Sequence, residues 1–292
     1  MTTTTDDVDD PREPTVPSEP EASSGPDEPI VLSERSLLGW WRQTAVLTGR
    51  QLLVAFRDLP TLVQILIFPA LTMLMFKVVL GDAVGKVTGV DSAFGIVPLV
   101  VLTSTMFGSA VSATRLNMER RSGLLSRLYV LPINRGADFS ARVLAESLRA
   151  LLTTIALVAA GFLIGFRFTQ GVGPAIGIFV VAVAYATAFA MLTLALAVNA
   201  APGAPLVSYL GMVSTLLMFF NSGFSPVDMY PGWLQPIVAN QPMTPAIDLM
   251  RSFAAGGPIM GNLIKVGIWT VLMMGAATYP ALQGYRKAAA GR

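Results

Sequence analysis

The sequence predicts an all-α integral membrane protein with six transmembrane helices, on three observations. Of its 292 residues, 53% are hydrophobic and 13% are charged, against about a quarter charged in ordinary soluble domains. Mean hydropathy is +0.61. The apolar residues gather in runs of 20 or more, long enough to cross the ~30 Å hydrocarbon core as helices.

The runs are 61–81, 94–114, 144–166, 174–198, 205–225 and 262–283. The break before the fifth is Ala200-Ala201-Pro202-Gly203-Ala204-Pro205, a helix-breaking turn. Pro69 and Pro98 fall inside spans and should kink them. Gly161 and Gly165 form a small-xxx-small pair in the third span, a mark of close helix packing.

Residues 1–34 are a different kind of chain. They hold one arginine, Arg12, against ten carboxylates, a net charge of −9. Pro, Ser and Thr fill the gaps and aromatics are absent. Such a segment buries too little apolar surface to offset its chain entropy, so it reads as a disordered acidic tail. It lacks the basic start and apolar core of a signal peptide. The transmembrane domain is expected over 35–292.

Lys and Arg fix an expected orientation. With the N-terminus inside, 15 basic residues face the cytoplasm and five, Lys77, Lys86, Arg167, Arg251 and Lys265, face out. The positive-inside rule therefore places both termini in the cytoplasm.

The chain has little equipment for catalysis. It has no Cys and no His, which removes thiol chemistry, thiolate metal sites and the commonest general base. The stretch Gly81-Asp82-Ala83-Val84-Gly85-Lys86-Val87-Thr88 is one residue short of a phosphate loop between its glycines. It also lacks the strand–loop–helix setting that a phosphate cradle needs. No metal site and no nucleic-acid partner is expected.

No span carries Asp, Glu, Lys or Arg near its middle; Glu146, Arg149 and Lys265 sit near span ends. Ion-coupled carriers commonly use buried ionisable relays, so ion coupling is the weaker reading.

Three segments outside the spans carry information. The stretch 36–58 holds Trp40-Trp41, and Arg35, Arg42, Arg50 and Arg57 fall within an arc of about 80° on a helix. That pattern suits a helix at the inner membrane surface, as a plain anchor or as a mechanical element. The inner loop 115–143 carries six arginines against Glu119 and Asp138, and its apolar residues follow helical spacing. By charge alone it is either a lipid anchor or a docking helix. The outer segment 226–261 is too apolar to float in water, with Trp233, Ile237, Ile247 and Phe253. It is expected to dip back into the outer leaflet as short helices broken by Pro236, Pro242 and Pro245, which is tolerated under protein cover.

Two of these segments carry motifs. Met118-Glu119-Arg120-Arg121-Ser122-Gly123-Leu124-Leu125, followed by Leu131-Pro132 and Arg142-Val143-Leu144, resembles the inner-loop signature of ABC-2 type permeases. Ser222-Gly223-Phe224-Ser225-Pro226, then Tyr230-Pro231, Trp233-Leu234, Asn240-Gln241-Pro242-Met243-Thr244-Pro245 and Arg251, resemble the family's outer segment. One departure is Gln241, which separates an Asn and a Pro that many members place side by side.

The resemblance covers about residues 36–286 and is nearest to the daunorubicin-resistance-like bacterial exporters. It implies a non-catalytic permease subunit in the bacterial plasma membrane. Separate ATP-binding subunits would hold ATP and Mg, and a second permease, identical or a sister chain, would complete the pathway. It further implies a connecting helix at 36–58 and a coupling helix around 119–130. Glu119, Arg120, Arg121, Gly123, Leu124, Leu128 and Pro132 would meet the ATPase, with Glu119 opening that helix. The gate residues would be Phe219, Phe220, Asn221, Pro226, Trp233, Asn240 and Pro242. The expected cargo is a hydrophobic or amphiphilic drug or lipid. Spans lined by Ala, Val, Leu, Met and Thr favour that over a polysaccharide or lipid-linked glycan, the alternative cargo. A non-ABC carrier or scaffold is the remaining alternative.

Overall fold

The computed structural model describes residues 37–88, 91–122, 135–201 and 204–289. The acidic tail and inner-loop residues 123–134 lie outside the described residues. Among those described the chain is helical throughout, with no strand. In order come α1 (Leu37–Arg57), α2 (Leu59–Leu62), a π-helical turn (Val63–Ile67) and α3 (Phe68–Thr88). Then follow α4 (Ala93–Arg121), α5 (Arg135–Leu163), α6 (Val172–Asn199) and α7 (Leu206–Phe219). A 3-10 turn (Val227–Met229), α8 (Gln235–Asn240), α9 (Met243–Ala255) and α10 (Met260–Ala289) complete the fold.

Four helices hold segments long and apolar enough to cross a bilayer: Ala93–Glu119, Ala137–Leu163, Val172–Asn199 and Met260–Ala281. The centre is α6, which packs on α4, α5, α9 and α10. Its buried face alternates small residues (Ala182, Ala186, Ala190, Ala197) with large ones (Ile178, Tyr185, Phe189, Leu194). Small residues let neighbouring backbones approach, the main source of helix association where lipid removes the hydrophobic drive. Many large apolar side chains instead point outward, among them Leu71, Met75 and Val78 on α3 and Ile264, Ile268 and Val271 on α10. In water such a surface would be a liability; in a bilayer it is the expected lipid or subunit face.

Several boundaries differ from the sequence expectation. The first apolar run does not start as a plain α-helix. Pro69 has no N–H to give the carbonyl four residues back, and the chain widens into the π turn, where Phe68 N–H bonds Val63 O. The third run ends at Leu163, and Gly165 is not in the helix. It sits at φ 105°, a left-handed geometry that favours glycine, and turns the chain. Gly161 does mark close packing, since a Cβ there would stand 2.9 Å from Val97 on α4.

The fifth helix, α7, stops at Phe219 with 14 residues. That gives about 21 Å of rise, short of a full crossing. In the outer segment, prolines begin helices more than they break them. Pro236 lies in the first turn of α8, and Pro242 caps α9. The near-phosphate-loop stretch 81–88 continues α3 as helix.

Candidate functional site: a charge ladder, an apolar cavity and a capped helix end

A charged site lies where α4 and α5 meet. Asp138, Arg142, Glu146 and Arg149 recur at near four-residue spacing on α5, so they share one face. Opposite them α4 presents Ser112, Arg115 and Glu119. Arg142 is buried and holds two carboxylates: Glu119 at 2.7 Å and Asp138 at 3.0 Å. About one turn along, Arg149 pairs with Glu146 and donates to Ser112 Oγ at 2.8 Å. Ser112 in turn donates to Glu146. Gly108 makes room for this group, because a Cβ there would stand 2.8 Å from the Arg149 guanidinium. Arg115 reaches Asp58 at 3.1 Å, which ties the α1–α2 junction to α4. Buried charge of this kind is costly unless every group is paired, and here pairing is extensive.

This geometry corrects one expectation. Glu119 does not open a new helix but lies in the last turn of α4, where the helix dipole disfavours a carboxylate. Arg142 of the same chain supplies the offsetting charge. Arg120 and Arg121 continue α4 to its end. Gly123, Leu124, Leu128 and Pro132 lie outside the described residues.

Helix α1 lies along α5. Thr48 Oγ donates to Thr44 O at 2.7 Å and to Ala141 O at 3.3 Å. The tryptophans meet edge to face, 5.2 Å apart. Thus α1 is packed against the helix that leads out of the inner loop.

In the apolar layer a cavity of about 180 Å³ opens between the π turn and α3 on one side and α4 and α7 on the other. Ile65, Phe68, Phe76, Leu99, Phe107 and Met218 supply apolar walls, and Gln64, Thr72, Thr103 and Ser104 supply polar atoms. The hydroxyls of Thr103 and Ser104 are spent on their own helix, donating to Leu99 O and Val100 O at 2.7 Å each. Gln64 therefore offers the cavity's free-standing amide.

At the outer end, Phe224 bridges Phe76 and Phe219, with ring centroids 5.6 and 5.9 Å away. Phe219 and Phe220 are partly exposed at the tip of α7. Asn221 is fully buried. Its amide donates to Leu217 O and Met218 O, and its oxygen accepts from Gly223 N at 2.8 Å and Phe224 N at 3.1 Å. One side chain thus ends the helix, a role read from neither motif nor hydropathy. Pro226 begins the 3-10 turn, and Trp233 is largely exposed. Asn240 donates to Pro236 O at 2.9 Å and accepts at its carbonyl from Trp269 at 2.8 Å.

Helix α9 is the least loop-like part of the outer segment. Met243, Ala246, Ile247, Leu249, Met250 and Ala254 are all fully buried. The 164–171 turn clamps its end, with Thr169 N and Oγ both bonding Ala254 O, at 3.0 and 2.7 Å. A vestibule of about 620 Å³ lies beside α9, lined in part by Asp91, Ser222, Asp228, Asp248 and Arg251. Asp248 accepts from Ser222 at 2.7 Å and Arg251 at 2.5 Å.

Four helices long and apolar enough to cross a bilayer, with large apolar side chains on outward faces, define a multi-pass membrane protein. Comparison with known proteins then places it. The family model described as "ABC-2 type transporter" matches residues 42–254. The chain is 37% identical over 246 residues to "Probable doxorubicin resistance ABC transporter permease protein DrrC" of Mycobacterium tuberculosis, in two strains. That match covers 84% of this chain and 89% of the relative. It is 26% identical over 220 residues, 75% of each chain, to "Daunorubicin resistance ABC transporter permease protein DrrB1" of Streptomyces coeruleorubidus. The chain belongs to the ABC-2 type transporter family.

Proposed function

We propose that this chain is the permease subunit of an ATP-driven exporter of amphiphilic, largely apolar compounds such as drugs or lipids. The observation that carries the reading is the cavity between α3, α4 and α7, walled by three phenylalanines and served by one free amide. Ligand sites of this kind are mostly apolar, with a few polar groups to fix orientation. A glycan would call for more polar lining than Gln64, Thr72, Thr103 and Ser104 provide. The relatives' names, which speak of doxorubicin and daunorubicin resistance, support an amphiphilic cargo.

The cavity is bordered by the exposed apolar faces of α3 and α7, where Phe68, Leu71, Met212, Leu216 and Phe219 project. A second permease, identical or a sister chain, is placed on that face and completes the pathway. Six crossings are counted, with 61–81 and α7 joining the four long helices and α8 and α9 sealing the outer end above α7. Both termini lie in the cytoplasm by the distribution of Lys and Arg.

ATP and Mg belong to a partner subunit that docks at 119–132, using Arg120, Arg121, Gly123, Leu124, Leu128 and Pro132. The Glu119–Arg142 pair holds the base of that loop. Arg115–Asp58 and the packing of α1 on α5 carry its motion to the start of the first span. Phe219, Phe220, Pro226, Trp233, Asn240 and Pro242 form the outer gate, and Asn221 fixes the helix end on which it turns.

The test is substrate-stimulated ATP hydrolysis by the reconstituted complex. Phe107→Trp fills the cavity and should abolish stimulation by amphiphilic drugs while basal hydrolysis continues. Undiminished stimulation would remove the cavity from the pathway.

A further inference from the structure

The last turn of any helix leaves carbonyls without intrahelical partners. In α7 every one of them is met. Leu216 O accepts from Phe220 N at 3.0 Å, and Asn221 serves Leu217 O and Met218 O. The remaining acceptors are served from further along the chain. Tyr230 Oη donates to Phe219 O and Asn221 O, at 3.1 Å each. Gln241 Nε2 donates to Phe220 O and also lies 3.3 Å from Thr244 Oγ. Gln241 is the residue that interrupts the Asn–Pro pair in the outer motif, so the extra residue is the one that reaches back to α7.

We propose that Tyr230 and Gln241 form a latch joining the outer segment to the end of α7, and that the latch sets how readily that segment opens. The proposal rests on the reading of this end as the exit. Lifting the segment away would strip the partners of Phe219 O and Phe220 O together and leave Asn221 O only the 3.5 Å bond from Ser225 N, next to an apolar layer where unmet carbonyls are costly. The segment and α7 therefore move as one body until these bonds break. Trp269, which donates to Asn240 O, anchors the segment on its other side to α10, so the latch is the side that yields. Both residues are positioning residues and touch no cargo.

The chain has no native Cys, so a single Val238→Cys, at a fully buried site on α8, reports opening cleanly. The assay uses the full complex with its ATP-binding subunit in membranes and a membrane-impermeant maleimide. Gln241→Met keeps length and removes the donor; it should raise the labelling rate about 3- to 10-fold, the scale expected for losing one hydrogen bond. Tyr230→Phe, which removes only the hydroxyl, should act in the same direction and decides the matter alone if Gln241→Met fails to accumulate.

Equal labelling in the parent and both variants, with export intact, overturns the latch and leaves the exit reading standing. Exposed Asn240→Cys separates the two claims. Its labelling from the outer face supports the exit reading, and labelling only from the inner face overturns that reading and the latch with it.

Discussion

Glu119 and Arg142 stand 2.7 Å apart and join α4 to α5 across a sequence separation of 23 residues. One residue lies in the last turn of α4 and the other in the second turn of α5. Their ion pair fixes the spacing of the two helices at this end of the bundle.

Glu119→Arg should therefore act first on this chain and only secondarily on any partner. It sets two arginines against each other in a largely buried place, at a cost of about 3 kcal/mol, read as a lower melting temperature of the detergent-purified protein. The exchange Glu119→Arg with Arg142→Glu should recover only part of that loss, because the new carboxylate faces Asp138. If Glu119→Arg leaves stability unchanged and abolishes coupled ATP hydrolysis, Glu119 belongs to the partner interface instead.

Asn221→Ala should destabilise the protein by about 2 kcal/mol, since it strands two buried N–H groups and two carbonyls. Asn221→Asp should not rescue it. The carboxylate keeps the acceptor for Gly223 and Phe224 but loses both donors and places negative charge at a helix C-terminus. Thermal unfolding of the three proteins side by side checks this; full rescue by Asp would show that only the acceptor matters.

Gly161→Ala should cost about 1–3 kcal/mol by overpacking against Val97. Because one methyl group causes the clash, Val97→Ala should recover most of the loss in the double variant. The measurement is again unfolding temperature, and additive losses would place the strain elsewhere.

At Asp91, between α3 and α4, burial works to raise the carboxyl pKa. The hydrogen bond from Lys77, the Ala93 N–H and the Lys77 charge outweigh it and hold the group below its ordinary value. A depressed folded-state pKa means the stabilisation is complete above the unfolded value near 4 and is lost as pH falls through the lower folded value. The stability gap between the parent and Asp91→Asn should be flat from pH 5 to pH 8 and narrow only in stronger acid. A gap that changes around neutrality would point to another titrating group.

The sequence was most readable where periodicity and length decide the outcome. Helix α1 was expected from the arginine arc and spans Leu37–Arg57; the cores of four apolar runs lie in α4, α5, α6 and α10. Side chains acting across the chain were harder to read. The Asn221 side chain bonds residues within four positions of itself, yet neither the motif nor the hydropathy pattern marks it as the end of α7. The burial of α9 depends on α4, α6 and α10 closing around it, so its prolines looked like breakers when they are starters. The partner of Glu119 lies 23 residues further along the chain, and it was the family resemblance that assigned that carboxylate to another subunit. A signal was available: Asp138, Arg142, Glu146 and Arg149 form an alternating-sign stripe on one helical face, facing Ser112, Arg115 and Glu119 in antiparallel register.

The central claim is tested most directly by drug transport in inverted membrane vesicles that contain this chain together with its ATP-binding subunit. Inversion turns export into uptake. The account predicts uptake of at least one amphiphilic drug of a test panel that requires ATP and both chains, and that persists when the proton gradient is collapsed. Uptake that needs the proton gradient and proceeds without ATP, or that is undiminished when this chain is left out, would contradict it.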